Sequence, residues 1–467
     1  MGGAAMTSFQ DTIAAIATAR GRAALAIVRL SGPDAVRIAD AVVRGPDLQA
    51  AASHTAHFGY AVAADGTDID QVVATIFRSP RSSTGEDVVE ITCHGGDFAS
   101  HLVLQSLVAN GARFAGPGEF TQRAFLNGKM DLAQAEAVAD LIHASSSLAH
   151  RVSLSQLKGR YSDLLKALRE ELVELTALIE LELDFSEEDV EFANRERLEE
   201  LLDRSGRTLH ELLNSYQIGA VIRDGVRVII GGRPNAGKST MLNALLGRDR
   251  AIVSDIPGTT RDEIEAETEI GGLLFRFIDT AGLRDTEDVI EAEGVRRAQE
   301  SIRTGDVLLY LFDLSTGLDE NECTFVRDIR QSQPDLPIIL VGNKRDLAPS
   351  GEYSAPLDLP FFAVSAELGR ANPDELQPLV DALVETVARG LSEASASPVV
   401  VNQRHREHLG RALEAVRNAR RALGANTSGD ALVLDLRLAL HELGAITGEI
   451  TNEDVLDQIF SRFCIGK

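Results

Sequence analysis

Along the first quarter of the chain, apolar residues come in short runs bounded by turn residues. Ala23–Leu30, Val72–Phe77 and Val88–Cys93 read as strands. Asp34–Val43 and Ser100–Ala109 carry helical spacing, His94-Gly95-Gly96 reads as a turn, and Gly111–Glu119 is a glycine-rich loop. From Asp131 to about Leu183 the pattern becomes helical. Ala, Leu and Glu dominate, and Gly and Pro nearly vanish apart from Gly159. Leu164, Leu168, Leu172, Leu175 and Ile179 form the expected bundle stripe. Arg197–Ile222 continues the helical pattern after an acidic loop, Asp184–Glu191. Helical spacing returns over Asn402–Leu423, Ala431–Ile450 and Asn452–Phe460.

Between the two helical stretches the pattern alternates strands with glycine-containing loops. Gly225–Gly231 reads as a buried strand and Thr240–Leu246 as a helix. The loop that joins them, Gly232-Arg-Pro-Asn235-Ala236-Gly237-Lys238-Ser239, fits G-x-x-x-x-G-K-[ST] without mismatch. That strand–loop–helix context is what the motif needs. Loop N–H groups and the helix N-terminus hold phosphate oxygens. Lys238 reaches the β/γ-phosphates, and Ser239 ligates Mg²⁺.

Four further elements follow in order. Thr259-Thr260 lies about twenty residues on and can bring a hydroxyl to Mg²⁺. Asp279-Thr280-Ala281-Gly282 follows the strand Leu273–Ile278. Asp279 can hold a metal-bound water, and the Gly282 N–H can meet the γ-phosphate. Asn343-Lys344-Arg345-Asp346 follows the strand Pro337–Val341, and Asp346 can accept two hydrogen bonds from guanine. Ser365-Ala366 follows Phe361-Phe362 and offers backbone to guanine O6. Five such elements at the strand ends of one doubly wound sheet read as a GTPase.

Helices on both sides of this segment favour one helical domain with the GTPase inserted into it; two small bundles are the alternative. The fold class expected is α/β plus all-α. The expected domains are 1–127 (α+β), 128–224 (helical, first part), 225–391 (inserted GTPase) and 392–467 (helical, second part).

Composition narrows the picture. A chain of 467 residues should hold two or three domains. Its net charge of −25 provides no global field for nucleic acid, so a bulk DNA or RNA coat protein is excluded while a local basic patch is not. Cys93, Cys323 and Cys464 are far apart and lack metal-type spacing, which suits a reducing compartment. No apolar run reaches the roughly 18 residues of a membrane span, and no signal-peptide pattern opens the chain. A soluble, cytoplasmic protein without a membrane partner is expected. His94 reads first as a turn residue and only second as a candidate catalyst. The acidic loop reads first as a solvated cap and only second as a candidate metal site.

The chain resembles the bacterial MnmE (TrmE) family of tRNA-modification GTPases over essentially its whole length. The resemblance rests on Thr84–Glu90, Pro117–Asn127, Lys129–Glu136, the phosphate loop and the terminal Phe463-Cys464-Ile465-Gly466-Lys467. Ser254 stands where threonine is common, and Thr240 where serine is common. The resemblance implies an N-terminal folate-binding and dimerisation domain related to the glycine-cleavage T-protein. It implies a homodimer that joins the FAD protein MnmG in a heterotetramer or larger complex and modifies C5 of the wobble uridine of tRNA. The one-carbon donor would be 5-formyl- or methylene-tetrahydrofolate. Arg29, Glu90, Lys129 and Lys467 match the family's folate contacts. The terminal segment would dock at that site, with Cys464 either a nucleophile or a buried small residue.

The resemblance also extends the nucleotide site over Ser254, Asp255, Ile256, Pro257, Gly258, Thr259 and Thr260. Ras-type enzymes orient water with a glutamine after the Asp-Thr-Ala-Gly motif. Here Leu283 stands there and cannot polarise water. The family answer maps onto Glu291, with Glu287, Asp288 and Glu293 as neighbours, and onto K⁺ in place of an arginine finger. Asn235 would bind K⁺ together with the carbonyls of Ser254, Ile256 and Thr259. Two other classes of function remain open. One is a ribosome-docking GTPase switch of the Era or EngA type, although no second phosphate loop or basic G-x-x-G end is visible. The other is a stand-alone folate enzyme with a regulatory GTPase.

Overall fold

The computed structural model describes residues 11–19, 21–184, 195–247, 265–279, 302–348, 353, 356–388, 399–425 and 429–467. They fall into two compact units. One comprises Met1–Ala139, Gln156–Leu201 and Asn418–Lys467; the other comprises Asp140–Ser155 and Leu202–Arg417.

The first unit begins with β1 (Ile13–Ile16), β2 (Leu25–Ser31), α1 (Ala35–Val42), β3 (Val43–Arg44), β4 (Thr55–Val62), β5 (Asp68–Phe77), β6 (Val88–His94), α2 (Asp97–Ala109) and β7 (Arg113–Phe114). The strands form one seven-stranded sheet in the order β3-β4-β5-β6-β2-β1-β7. It is antiparallel except where β7 runs parallel to β1. Alternation divides β2: Ala26, Val28 and Leu30 are buried in a core that includes Ile38 and Val42 of α1 and Val103 and Leu107 of α2. The other face carries Leu25, Ile27 and Arg29, opposite His94, Thr92 and Glu90 of β6. Phe58 of β4 is exposed there too, across from Val73.

Several boundaries differ from the sequence reading. β5 starts at Asp68, because its polar first residues pair with Tyr60, Ala61 and Val62. β4 went unread, since glycine and histidine interrupt its apolar alternation. The Gly111–Glu119 loop contains β7, stitched in by Arg113 N–H donating to the Thr12 carbonyl. His94 ends a strand, and the turn proper begins at Gly95.

The same unit continues with α3 (Glu119–Leu126), α4 (Leu132–His143), α5 (Ser147–Leu157), α6 (Arg160–Asp184) and α7 (Arg195–Asp224), some of whose residues belong to the second unit. On α6 the buried stripe is Tyr161, Leu165, Leu168, Leu172, Leu175 and Ile179. Leu164 is only half-buried. The stripe thus starts a turn earlier, at Tyr161, and passes through Leu165 in place of the expected Leu164, in the alternating four-and-three spacing of a helix seam. α6 packs on a helix from beyond the inserted segment, Gly429–Thr447. Arg437 pairs with Glu180 at 2.7 Å and Arg169 with Glu449 at 3.0 Å across that contact. Helices from before and after the inserted segment therefore pack together within this unit, as one helical domain requires. The last helix, Glu453–Phe460, is capped by Asn452 and packs Leu456 and Phe460 with Phe463, Leu132 and Phe125. The acidic segment after Asp184 lies outside the described residues.

The second unit is built on β8 (Val226–Gly232), α8 (Lys238–Leu246), β9 (Glu265–Ile270), β10 (Leu273–Asp279), β11 (Val307–Asp313), α9 (Glu320–Ser332), β12 (Ile338–Asn343), β13 (Phe361–Ala363), α10 (Ala366–Ala371) and α11 (Gln377–Ala388). Its sheet has the order β13-β12-β11-β8-β10-β9, parallel except for the β9–β10 hairpin. The central strands are apolar throughout, as burial on both faces demands. Val226, Val228 and Ile230 enter a core that holds Met241 and Leu245 of α8, while Ile229 enters another with Val326 and Ile329 of α9. This is the doubly wound, Ras-like architecture, inserted in a helical domain.

The position of the α6 stripe is open to direct measurement. Leu165→Ala should destabilise the first unit by about 2–5 kcal/mol, and Leu164→Ala by about 1 kcal/mol or less. Denaturant titration followed by helical circular dichroism distinguishes them. Equal losses at both positions would contradict the assigned seam.

Candidate functional site

In the second unit, the loop between β8 and α8 meets the ends of β12 and β13. Gly237 adopts φ +92°, and a Cβ there would lie 2.2 Å from Asn343 Nδ2. Only glycine fits that approach. The Asn343 side chain is buried and makes two bonds in opposite directions. Its Nδ2 donates to the Ala236 carbonyl at 2.8 Å, and its Oδ1 accepts from the Ala366 N–H at 2.9 Å. Three sequence motifs are therefore held by one carboxamide. Lys238 is buried, and its Nζ donates to the carbonyls of Gly232 at 2.9 Å and Arg233 at 2.8 Å. It curls back over the loop whose phosphate it would serve. Asn235, at φ +65°, and Ser239 are exposed, and Thr240 follows in the first turn of α8.

The segment Asn343–Asp346 is braced in the same way. Lys344, at φ +62°, donates to Asp313 Oδ2 at 2.7 Å. Burial pushes the Asp313 carboxyl up, but its bonds from Lys344 and Ser315 outweigh this and hold it below the usual carboxylate range. Asp346 lies exposed in the short turn Arg345–Leu347. Arg345 pairs with Glu375 at 2.7 Å, and the other Glu375 oxygen accepts from the Ser365 N–H at 3.1 Å. Ser365 is fully buried and caps α10 through the Leu368 N–H. Sequence reasoning passed over Arg233, which pairs with Asp319 and lies 3.6 Å from Glu322. Its signal was the capping box Asp319–Glu322 at the start of α9. Burial raises the Glu322 carboxyl, with Arg233 pulling against it.

Of the remaining candidates, Ser254, Asp255, Ile256, Pro257, Gly258, Thr259, Thr260, Thr280, Ala281, Gly282 and Glu291 lie outside the described residues. So do Glu287, Asp288 and Glu293 and the side chain of Asp279, whose backbone ends β10 beside Ile230 of β8.

A second candidate site lies on the open sheet face of the first unit. Arg29 and Glu90 are cross-strand neighbours, with Arg29 Nε and Nη2 2.9 and 2.8 Å from Glu90 Oε1. Both are about one-fifth to one-quarter exposed, so the pair is reachable from solvent. Arg29 also lies over the Phe120 ring at 5.7 Å. The C-terminal segment arrives at this point. Ile465 bridges to Pro117, Gly118 N–H donates to the Cys464 carbonyl at 3.4 Å, and Phe120 N–H donates to a Lys467 main-chain oxygen at 3.2 Å. The Gly466 carbonyl accepts from Arg29 Nη1 at 3.4 Å. Gly466 needs φ +95°, because a Cβ would lie 2.5 Å from the Ile16 carbonyl.

The structure thus brings Arg29, Glu90 and the terminal segment together. Lys129 Nζ donates instead to the Pro80 carbonyl at 3.0 Å. Cys464 is exposed, which goes against the alternative that reads it as a buried packing residue; the segment anchors through the buried Phe463 and its backbone. Cys93 is the buried one. Burial, then the neighbouring Asp70 carboxylate, push its thiol up to about 11. His94 Nδ1 sits 2.7 Å from Asp70 Oδ1, and its own N–H donates to Asp70 Oδ2 at 2.7 Å. Its described contacts therefore tie two strands. Among the described residues no group of three or more His, Cys, Asp or Glu is placed to hold a metal. Among them, too, no helix is long and apolar enough to cross a membrane.

Asn343→Ala should strand the Ala236 carbonyl and the Ala366 N–H, at a cost of about 1–3 kcal/mol for each buried group. Guanine-nucleotide affinity should then fall by about tenfold or more in a fluorescence titration. Asn343→Asp keeps one bond but sets an oxygen against the Ala236 carbonyl, so it should do no better. Parental affinity in both variants would show that the carboxamide does not organise the loops.

Two family models match the chain. Residues 12–129 match the family model described as the N-terminus of GTP-binding protein TrmE, and residues 132–464 match the MnmE helical domain. The tRNA modification GTPase MnmE of Salinibacter ruber is 65% identical over 460 residues, covering 98% of this chain and all of that protein. Those of Bacteroides fragilis and Christiangramia forsetii are 45% and 44% identical over 98% of this chain, covering 100% and 99% of their own length. With identity of this extent over nearly the whole of both proteins, the chain belongs to the MnmE family of tRNA modification GTPases.

Proposed function

We propose that this chain hydrolyses GTP and, with MnmG, installs the (carboxymethyl)aminomethyl group at C5 of the wobble uridine of certain tRNAs. The observation that carries the reading is the 65% identity with a tRNA modification GTPase over 98% of the chain. The two sites described above supply the means.

At the nucleotide site, the phosphate loop and the α8 N-terminus offer N–H groups to phosphate oxygens. Lys238 leaves the carbonyls of Gly232 and Arg233 to meet the β/γ-phosphates. Ser239 and Thr260 would hold Mg²⁺, which would supply neutralising charge to the transferred phosphoryl group. The exposed Asn235 side chain would serve as a K⁺ ligand, with the carbonyls of Ser254, Ile256 and Thr259 as the further ligands. Glu291 orients the attacking water. Asp346 selects guanine by accepting from N1–H and the 2-amino group, and Ser365 and Ala366 present backbone to the base.

At the sheet face, the donor set fits a tetrahydrofolate derivative. Arg29 would offer a fork to carboxylates, Glu90 would accept pterin N–H groups, Lys467 would add positive charge, and Lys129 would join them on leaving the Pro80 carbonyl. When bound, the folate supplies a one-carbon unit to the uridine. The terminal segment places Cys464, exposed, within the same neighbourhood. Dimerisation through the N-terminal unit would bring two such sites into one enzyme.

The reading is tested by expressing the chain in a bacterial strain that lacks its own wobble-uridine enzyme and analysing tRNA nucleosides by mass spectrometry. The modified uridine should reappear, and only when MnmG is present. A strain that stays unmodified although the protein is soluble and hydrolyses GTP would refute it.

The ion assignment has its own test. An arginine finger is worth about 10³–10⁵ in rate, and K⁺ in its place should matter comparably. GTP hydrolysis should be fast in KCl and slow in NaCl at equal ionic strength, and Asn235→Ala should abolish the difference. Equal rates of the parent in both salts would sink the K⁺ role.

A further inference from the structure

Beside the seat of the terminal segment lies a charge network, buried at Arg123 and Glu119, nearly so at Glu86 and open to solvent at Asp11 and Arg113, that the proposed chemistry does not use. Arg123, on α3, is fully buried. Its Nη1 donates to the Asp11 carbonyl at 2.9 Å and to Glu86 Oε2 at 3.2 Å. Its Nη2 donates to Asp11 Oδ1 at 2.7 Å and Glu119 Oε1 at 3.1 Å. Arg113 closes the ring, reaching Asp11 at 2.7 Å and Glu119 at 2.5 Å. Glu119 Oε2 also accepts the Gly116 N–H at 2.8 Å. Burial raises the Glu119 carboxyl, but Arg113, the Gly116 N–H and Arg123 together hold it below its usual range.

This network grips the turn 116–120 from below, and the terminal segment grips the same turn from above. Pro117, Gly118 and Phe120 make the tail contacts, while Gly116 and Glu119, interleaved with them, make the network contacts. A buried arginine among carboxylates is a poor source of net stability, because desolvation offsets most of the attraction. It is, however, a stiff geometric device, since each removed partner leaves an uncompensated buried charge.

We infer that Arg123, acting through Glu119, is a positioning residue that sets the 116–120 turn and thereby holds the terminal Cys464–Lys467 segment against Arg29. The structural half of this inference stands apart from the proposed function. Its consequence for tRNA modification rests on that reading.

Hydrogen exchange on the full chain, read by mass spectrometry, tests it. In Arg123→Met, exchange over residues 463–467 and at the amides of Gly118 and Phe120 should quicken at least about tenfold. The core of α2 should stay slow and GTP hydrolysis unchanged. Arg123→Lys, which keeps one charged donor, should recover part of the protection. Gly466→Ala detaches the tail directly, so the double variant with Arg123→Met should exchange no faster at the tail than Gly466→Ala alone. Should Arg123→Met unfold the unit, Glu119→Gln serves instead, with the same tail-specific acceleration expected. Parental protection of the tail in the folded variants, or tail losses that simply add in the double variant, would overturn the inference. A loosened tail with full wobble modification would leave the positioning in place and refute the tail's part in the proposed site.

Discussion

One buried carboxamide sets the geometry of the nucleotide site. Asn343 sits at the end of β12, where two-sided burial leaves no water to satisfy its amide. It must bond within the protein, and its two partners are the phosphate loop and the first residue of α10. That requirement explains why Gly237 has no room for a side chain. It also explains how loops read at three separate places in the sequence become one surface. Lys344 and Arg345 on the next residues pair outward to Asp313 and Glu375, so the segment that presents Asp346 is braced on both sides. The pairs exposed to solvent add little stability. Their value lies in fixing where Asp346 stands.

The first unit uses a different device for the same end. Its sheet spends one face on a conventional apolar core and leaves the other open. The open face carries Arg29 and Glu90, and the C-terminal segment is drawn to it by backbone bonds and by Phe463, which completes a small aromatic cluster with Phe460. A segment of seven residues following the last helix would ordinarily fray. Here it is held by a turn that is itself pinned by ion pairs around the buried Arg123.

Much of this was legible in the sequence because it is local. The phosphate loop, the strand before it and the motifs at later strand ends all depend on short spacings. The helices could be read from period, with Leu164 taken for Leu165 because adjacent leucines blur the register by one residue. β4 escaped because Gly59 and His57 break its apolar alternation, and β7 because two residues carry no pattern. The charge network was illegible for a stronger reason. Arg123 meets Asp11 and Glu86 from 112 and 37 residues away, and nothing in the spacing of charges marks such a pairing. The docking site of the terminal segment followed from family resemblance, and its contacts from the fold alone.

The account assigns GTP hydrolysis to one unit and the uridine chemistry to the other. Removal of residues 463–467 separates them most directly, with GTP turnover and wobble-uridine content measured on the same preparation and strain. The account predicts that K⁺-dependent GTP hydrolysis is largely retained while modification is lost. Full modification by the truncated chain would contradict it, as would loss of GTP hydrolysis in a truncated chain that remains folded.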